Sequence, residues 1–248
     1  MPSTKRRTER AQRWVARQHW GGDDEPPGEP TSLHAERLDT IEQALLAAGV
    51  RSVADLGCGD GALVRRLMDR PRIERVVALD SDLGRLGRLE RSLSPALLRG
   101  DRLRLVHGSF AANHAALAGV EAVAMVETIE HLAPTELSAL EHQIFAVVCP
   151  ALVLITTPNV EYNGLLGMAE GQMREAGHRF EWPRSRFRAW ATGVALRRGY
   201  TVQTAGIGPE DVRVGCPTQW ARFERDGPRS AIAPFGKPIR DALHGPIR

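Results

Sequence analysis

From Ser52 onward, short runs of β-branched and aliphatic residues alternate with stretches of helical periodicity, and this alternation restricts the fold more than any other feature. Strand-like runs cover 53–56, 76–79, 103–106, 122–126 and 152–156, and two more, 200–204 and 219–223, come late and close together. Parallel neighbours cannot be joined by a tight turn. Each needs a crossover, and a right-handed crossover packs its helix back on the sheet. Helical stretches lie between the first five runs, one of them over 62–68. The pattern predicts an α/β fold, with seven mostly parallel strands in one sheet and helices on both faces. Ahead of the first strand, Leu33, Leu38, Ile41, Ala44, Leu45 and Leu46 recur at helical spacing, and Gly49 closes that helix.

Residues 1–30 read as a basic, disordered arm: Lys5, Arg6, Arg7, Arg10, Arg13 and Arg17 face Glu9 alone, and a Gly/Pro/acidic linker follows over 21–30. Residues 226–248, with Pro228, Pro234, Pro238 and Pro246, read as a disordered tail, which leaves 31–225 as one domain. The hydrophobic share of 42% and charged share of 25% are those of a soluble globular chain. Cys58, Cys149 and Cys216 are too few for a disulfide framework and form no C-x-x-C pair, so a reducing, cytoplasmic setting is expected. The longest apolar run, 144–155, is broken by Pro150 and falls short of the ~20 residues a membrane helix needs. The arginine-rich start leads into no hydrophobic signal segment. Secreted, membrane-spanning and disulfide-rich classes are excluded on this reading. Of 33 basic residues only Lys5 and Lys237 are lysine, and seven arginines fall within 174–198. Such clusters attract phosphates, although a charge run by itself is more often a solvated face.

Directly after the first strand comes Asp55-Leu56-Gly57-Cys58-Gly59-Asp60-Gly61, followed by a helical stretch. Glycines there let the backbone turn sharply and approach a ligand closely. The second strand ends in Asp80, an acid placed to accept hydrogen bonds from ribose hydroxyls. Nicotinamide-binding chains carry G-x-G-x-x-G, whereas Gly57, Gly59 and Gly61 are spaced two apart behind an acid. This form resembles motif I of the class I, Rossmann-like methyltransferases, which bind S-adenosylmethionine. That resemblance implies that Asp55, Gly57 and Gly59 lie near the methionine moiety, that Asp80 holds the ribose, and that Ser109 and Phe110 contact the adenine.

Past the fourth strand stands Glu127-Thr128-Ile129-Glu130-His131. On a helical turn, positions i, i+3 and i+4 share a face, so Glu127, Glu130 and His131 would converge. Two carboxylates beside an imidazole repel unless a cation joins them, and mixed oxygen and nitrogen donors suit magnesium, manganese, iron or cobalt. The spacing fits equally an acid-rich helix start with a chance histidine. His178, in a glycine-flanked loop, is a candidate fourth ligand, although a lone histidine there is more often a surface residue.

The segments Glu127 to His131, Thr157-Pro158-Asn159-Val160-Glu161-Tyr162-Asn163 and His178-Arg179-Phe180-Glu181-Trp182 together resemble the signatures of the HEN-type small-RNA 2′-O-methyltransferases. Ile207-Gly208-Pro209-Glu210-Asp211 with Pro217-Thr218-Gln219 is similar to that family's last motif. The resemblance covers about 31–224 and implies metal-dependent methyl transfer from S-adenosylmethionine to the 2′-hydroxyl of the 3′-terminal nucleotide of RNA. It implies a magnesium or manganese ion on Glu127, Glu130, His131 and His178, with Glu130 and the two histidines catalytic and either histidine open as general base. The implied partners are a single-stranded RNA 3′ end and RNA-repair proteins, with no membrane. The basic arm would stand in for the RNA-binding or ligase-serving domains of other members. Some arginines of 174–198 would lie along the RNA backbone, and Tyr162 and Asn163 would line the substrate side. Trp182 and Trp190 suit core packing better than base stacking. Two departures stand out: Gly177 where the family often has an acid, and Arg186 where another acid is usual. Two rival readings stay open, a class I methyltransferase acting on a small diol metabolite and a non-catalytic S-adenosylmethionine-binding subunit of an RNA-processing complex.

Overall fold

A computed structural model describes residues 32–93, 101–109, 112 and 115–225. The expected arm, the expected tail and Phe110 lie outside these residues. One seven-stranded sheet organises the rest: β1 (Ser52–Leu56), β2 (Arg75–Asp80), β3 (Leu103–His107), β4 (Ala122–Val126), β5 (Leu152–Pro158), β6 (Tyr200–Ile207) and β7 (Thr218–Arg225), in the order β3-β2-β1-β4-β5-β7-β6. β1 to β5 pair in parallel, while β7 is antiparallel to both β5 and β6. The seven predicted strands are all present, and the mostly parallel sheet is the expected one.

The central strands β1, β2, β4 and β5 are buried on both faces, which is why they are apolar almost throughout rather than alternating. Helices α1 (Ser32–Ala47), α2 (Ala62–Met68) and α3 (Leu83–Ser92) cover one face, where Leu38, Ile41, Leu45, Leu67 and Leu89 pack on Val53, Val76, Ala78 and Leu154. The other face carries α4 (Pro134–His142) and α5 (Arg184–Arg198), with Leu140, Phe187 and Val194 against Leu56, Val77, Met125 and Ile155. Neighbouring residues of one strand thus serve opposite cores. Helix α4 begins with proline at its first turn and widens into a π-helical segment over Gln143–Val148. Cys149, in the left-handed region at φ 48°, ends it. No helix among the described residues is long and apolar enough to cross a membrane.

The strand order reverses direction at β1. From there β2 lies on one side and β4 on the other, so a crevice opens beyond the carboxyl ends of β1 and β4. Two glycines shape its rim. Gly57 (φ 74°) leaves room for Thr128, whose Cγ2 would lie 2.6 Å from any added Cβ. Gly61 (φ 82°) lets α2 start against α3, where an added Cβ would meet Leu89 Cδ1 at 2.3 Å. Replacing Gly61 by alanine is therefore expected to cost about 1–3 kcal/mol through strain and overpacking. Thermal unfolding followed by circular dichroism reads this as a lower Tm, and an unchanged Tm would mean that α3 yields without cost.

Candidate active site

The first wall of the crevice is the loop after β1. Its shape is set by backbone bonds to the next strand: the amides of Gly57 and Cys58 donate to the Leu79 carbonyl at 2.8 and 3.1 Å. Asp80 adds a second tie. Its Oδ2 accepts from the Gly59 amide and its Oδ1 from the Asp82 amide, each at 2.8 Å. Asp55 is buried beneath this loop, and burial together with the neighbouring Asp80 charge raises its pKa to about 7. Asp55, Gly57 and Gly59 all line the crevice; Ser109 is exposed at the end of β3.

The second wall follows β4. Glu127 takes a left-handed φ of 51°, and a short 3-10 turn over Ile129–His131 follows. This breaks the regular helical turn that would have placed Glu127 on one face with Glu130 and His131. The Glu127 carboxylate is instead held at the crevice wall. Its Oε2 lies 3.0 Å from Arg37 Nη2, and its Oε1 accepts from the Thr156 hydroxyl at 2.9 Å. Glu130 is fully buried; Thr157 Oγ1 donates to its Oε2 at 2.9 Å, and Oε1 has no hydrogen-bond partner. Burial, reinforced by the Glu127 charge, holds its carboxyl well above the usual carboxylate range.

The third wall is the loop that carries His178, and it is docked on the second. The Glu130 carbonyl accepts the Arg179 amide at 2.7 Å and the Phe180 amide at 3.4 Å. His178 is buried, with Nδ1 2.6 Å from Glu181 Oε1. Glu181 also takes bonds from the Arg174 amide at 2.6 Å and from Asn163 Nδ2 at 2.7 Å. Burial opposes charge on Glu181, but these hydrogen bonds outweigh it and its pKa falls. The ring left to face the crevice therefore offers Nε2, the arrangement by which a carboxylate commonly orients a ligating imidazole. His131 meets His178 edge to face, with ring centroids 4.8 Å apart. Burial and then His178 lower the pKa of His131, while the backbone of Gly177 hydrogen-bonds its ring and works the other way. A Cβ at Gly177 would stand 3.2 Å from His131 Nδ1, so the glycine lets that ring lie against the loop.

Ligand atoms of Glu130, His131 and His178 all lie within 4.8 Å of one another. An imidazole pair beside a buried carboxylate oxygen with no partner is a donor set that fits a divalent ion. Glu127 lies in the same cavity but outside that cluster. The cavity, about 330 Å³, runs without interruption from the glycine loop to the three clustered donors.

Several residues of the site escaped the sequence. Arg37 of α1 spans it, donating from Nε to Thr218 Oγ1 at 2.8 Å while it pairs with Glu127. Buried Arg174 donates from Nε to Asn163 Oδ1 and from Nη2 to the Asn159 carbonyl, both at 2.7 Å, and its Nη1 has no partner. Nothing in their local pattern sets them apart from other arginines. Glu181 could have been found, since it stands three residues after a candidate ligand. Tyr162 and Asn163, expected on the substrate side, are both buried: Asn163 braces Glu181, and burial pushes the Tyr162 phenol up to about 12. Trp182 stacks on Phe180 at 4.2 Å and belongs to the core, as expected, with Trp190 packed beside it. Arg186 lies over the Trp182 ring, 5.1 Å from its centre.

A family model described as a methyltransferase domain matches residues 53–151. The solved methyltransferase domain of bacterial CtHen1 is 33% identical, with a TM-score of 0.70 over 78% of this chain and 100% of that domain. The chain belongs to the Hen1 methyltransferase family. The small RNA 2′-O-methyltransferase of Rattus norvegicus is 33% identical over 205 residues, covering 79% of this chain and 52% of the rat protein. A solved small RNA methyltransferase HEN1 gives a TM-score of 0.73 at 25% identity, over 84% of this chain and 28% of that one. The chain thus spans about half the length of the curated animal relatives it matches.

In this Hen1-family chain the buried Asp55 makes stability pH-dependent. Its folded pKa, about 7, lies above the unfolded value of 3.8, so the folded state holds the extra proton between them. Stability falls as pH rises through that window and stays lower above it. Asp55→Asn, which mimics the protonated form, is expected to raise Tm relative to the parent more at pH 8 than at pH 5. Thermal melts of the cofactor-free protein at the two pH values check this, and an equal difference at both would remove the assignment.

Proposed function

We propose that this chain transfers a methyl group from S-adenosylmethionine to the 2′-hydroxyl of the 3′-terminal nucleotide of RNA. The observation that carries this reading is a single cavity holding both the glycine loop over Asp55 and the Glu130–His131–His178 cluster. A cofactor site and a metal-type donor set thus face one space, where ordinary methyl transfer needs only the first. Family membership supplies the substrate class, and the curated relatives are named small RNA 2′-O-methyltransferases.

S-adenosylmethionine brings a methyl already activated by its sulfonium charge, so the protein's task is alignment and proton management. Glu130, His131 and His178 would hold a divalent ion, which when bound lowers the pKa of a facing hydroxyl. The residues around them fix that seat. Thr157 orients Glu130, Glu181 orients His178, and Gly177 receives His131. Asp80 pins Gly59 and so fixes the cofactor side. The exposed acid Glu175 in the same cavity disfavours a 3′-phosphate, so an end whose 3′ oxygen is an uncharged hydroxyl is preferred. Arg179, Arg186 and Arg188 are exposed next to the histidine loop and suit contact with the incoming phosphodiester backbone, without base readout. Association with RNA-repair proteins, implied by the family resemblance, belongs to the same proposal.

Labelled methyl transfer to short single-stranded RNAs tests it, with ends compared as 2′,3′-diol, 2′-deoxy and 3′-phosphate, and with manganese, magnesium or chelator. Label confined to the diol end and abolished by chelator is the expected result. Label indifferent to the terminal ribose would send the search to other substrates. In the same assay Glu130→Ala is expected to lose nearly all transfer while calorimetry shows S-adenosylmethionine binding retained. Full transfer by that variant would remove Glu130 from the chemistry.

A further inference from the structure

Resting on the RNA reading just given, we propose that Arg85 receives the phosphodiester backbone of the entering RNA strand at the mouth of the cavity, from the wall formed by the glycine loop. Among the described residues, three arginines line the cavity: Arg37, Arg85 and Arg174. The side chains of Arg37 and Arg174 are 9% and 2% exposed and hold partners inside the protein, whereas that of Arg85 is 40% exposed. Arg85 is therefore the cation of this cavity that an incoming strand meets first. Its guanidinium lies against the glycine loop, where Nη1 would stand 3.6 Å from a Cβ added to Gly59. Its charge is also felt at the His131 ring, where it adds to burial and to His178 in lowering the pKa. One guanidinium is thus within reach of both the loop over Asp55 and the cluster that the terminal ribose is to face.

The helix that carries Arg85 is fixed in place. Arg88 Nε donates to Asp60 Oδ1 at 2.9 Å, and Leu89 fills the space over Gly61, so α3 is tied to the glycine loop. Asp82 caps α3 by accepting the Arg85 amide at 3.0 Å, and its other oxygen stands 3.5 Å from Arg85 Nε. An exposed pair of that kind holds weakly and leaves the guanidinium able to turn to another anion. The cofactor offers no anion on this side. Helix α3 starts just past Asp80, the expected ribose end, and a ribose is uncharged, while the methionine carboxylate is expected near Asp55. A phosphodiester is the anion that an RNA substrate supplies, and a guanidinium can meet it with two parallel N–H bonds. Arg179, Arg186 and Arg188 belong to the side of the histidine loop, so Arg85 adds a contact from the glycine-loop wall. A backbone held from both walls presents its terminal ribose to the cluster in one orientation.

The test is fluorescence anisotropy of a labelled single-stranded RNA with a 2′,3′-diol end, bound to the full chain at several salt concentrations with S-adenosylhomocysteine present. Arg85→Gln is expected to weaken binding at low salt and to make the plot of log affinity against log salt shallower by about 0.7, the share of one phosphate contact on a single strand. Arg88→Gln removes a charge already met by Asp60 and is expected to change the slope less. RNAs with an uncharged methylphosphonate at the last, second-last or third-last linkage then locate the contact. At one of these linkages the neutral RNA is expected to bind the parent and Arg85→Gln alike. An unchanged slope in Arg85→Gln, a larger change in Arg88→Gln, or a penalty that persists at all three neutral linkages each overturns the assignment while leaving the RNA reading intact. Loss of S-adenosylmethionine affinity in Arg85→Gln, measured by calorimetry, overturns it too and turns the residue toward the cofactor. A parent chain that binds no RNA overturns the RNA reading and Arg85 with it. Thermal melts separate these results from misfolding, since the Arg85 side chain is part exposed and its variant is expected to keep the parental Tm.

Discussion

Glu130 joins three pieces of chain that no regular element joins. Its carbonyl receives the amides of Arg179 and Phe180, so the loop bearing His178 is docked on the turn bearing His131. Its carboxylate receives the Thr157 hydroxyl, which ties that turn to the end of β5. Were the loop not docked there, His178 would have no fixed distance to the other donors. The same loop is braced from behind by Glu181, Asn163 and Arg174, whose hydrogen bonds of 2.6–2.7 Å close a small buried network. A cluster of donor side chains drawn from two loops is thereby given the rigidity that strands usually provide.

The sheet determines where this happens. Ligands of open α/β sheets bind where neighbouring connections run to opposite sides, and here that point lies between β1 and β4. Gly57 after β1 and Thr128 after β4 touch across it, and Thr128 Oγ1 donates to the Leu56 carbonyl at 3.2 Å. The glycine loop and the acidic turn are therefore coupled parts. Gly57 is needed for the turn that Thr128 makes as much as for any approach of a ligand. Antiparallel β7 adds the last constraint: pairing with β5 brings Thr218 to Pro158 and Gln219 to Thr157. From there Gln219 Nε2 donates to the carbonyls of Pro158 and Trp182, and Thr218 takes the bond from Arg37.

Strands β1, β2, β4 and β5 were legible because each is a short apolar run buried on both faces, and half-exposed β3 because it keeps Leu103, Leu105 and Val106 between stretches of helical periodicity. The glycine loop was legible because only a backbone turn with positive φ needs three glycines so close together. Within the metal-type cluster the residue types were legible and the geometry was not. Helical spacing predicts convergence of Glu127, Glu130 and His131, but the left-handed conformation of Glu127 is a property of the turn, and period-counting cannot detect it. Arg37 and Arg174 were invisible for another reason. Their roles are set by partners distant in sequence, such as Thr218, 181 positions from Arg37, and an arginine near a helix start or in a glycine-rich loop is ordinary. Tyr162 shows the reverse error, a polar aromatic past a strand end that turns inward and is buried.

The charges in the cavity follow one logic. A fully buried carboxylate such as Glu130 costs several kcal/mol to hold ionised unless something offsets it. The described chain places no cation directly on Glu130. Arg37 neutralises Glu127 instead, and Arg174 is turned toward Asn159, Asn163 and Glu181. Both arginines are thus close enough to ease the field of the acids without occupying the space between Glu130, His131 and His178. A fold selected for stability alone would have let one of them reach Glu130, or would have replaced that acid with an apolar side chain. Keeping a buried acid without a cation beside two imidazoles is a local conflict that a bound divalent ion would resolve, and such conflicts concentrate where a protein does its chemistry.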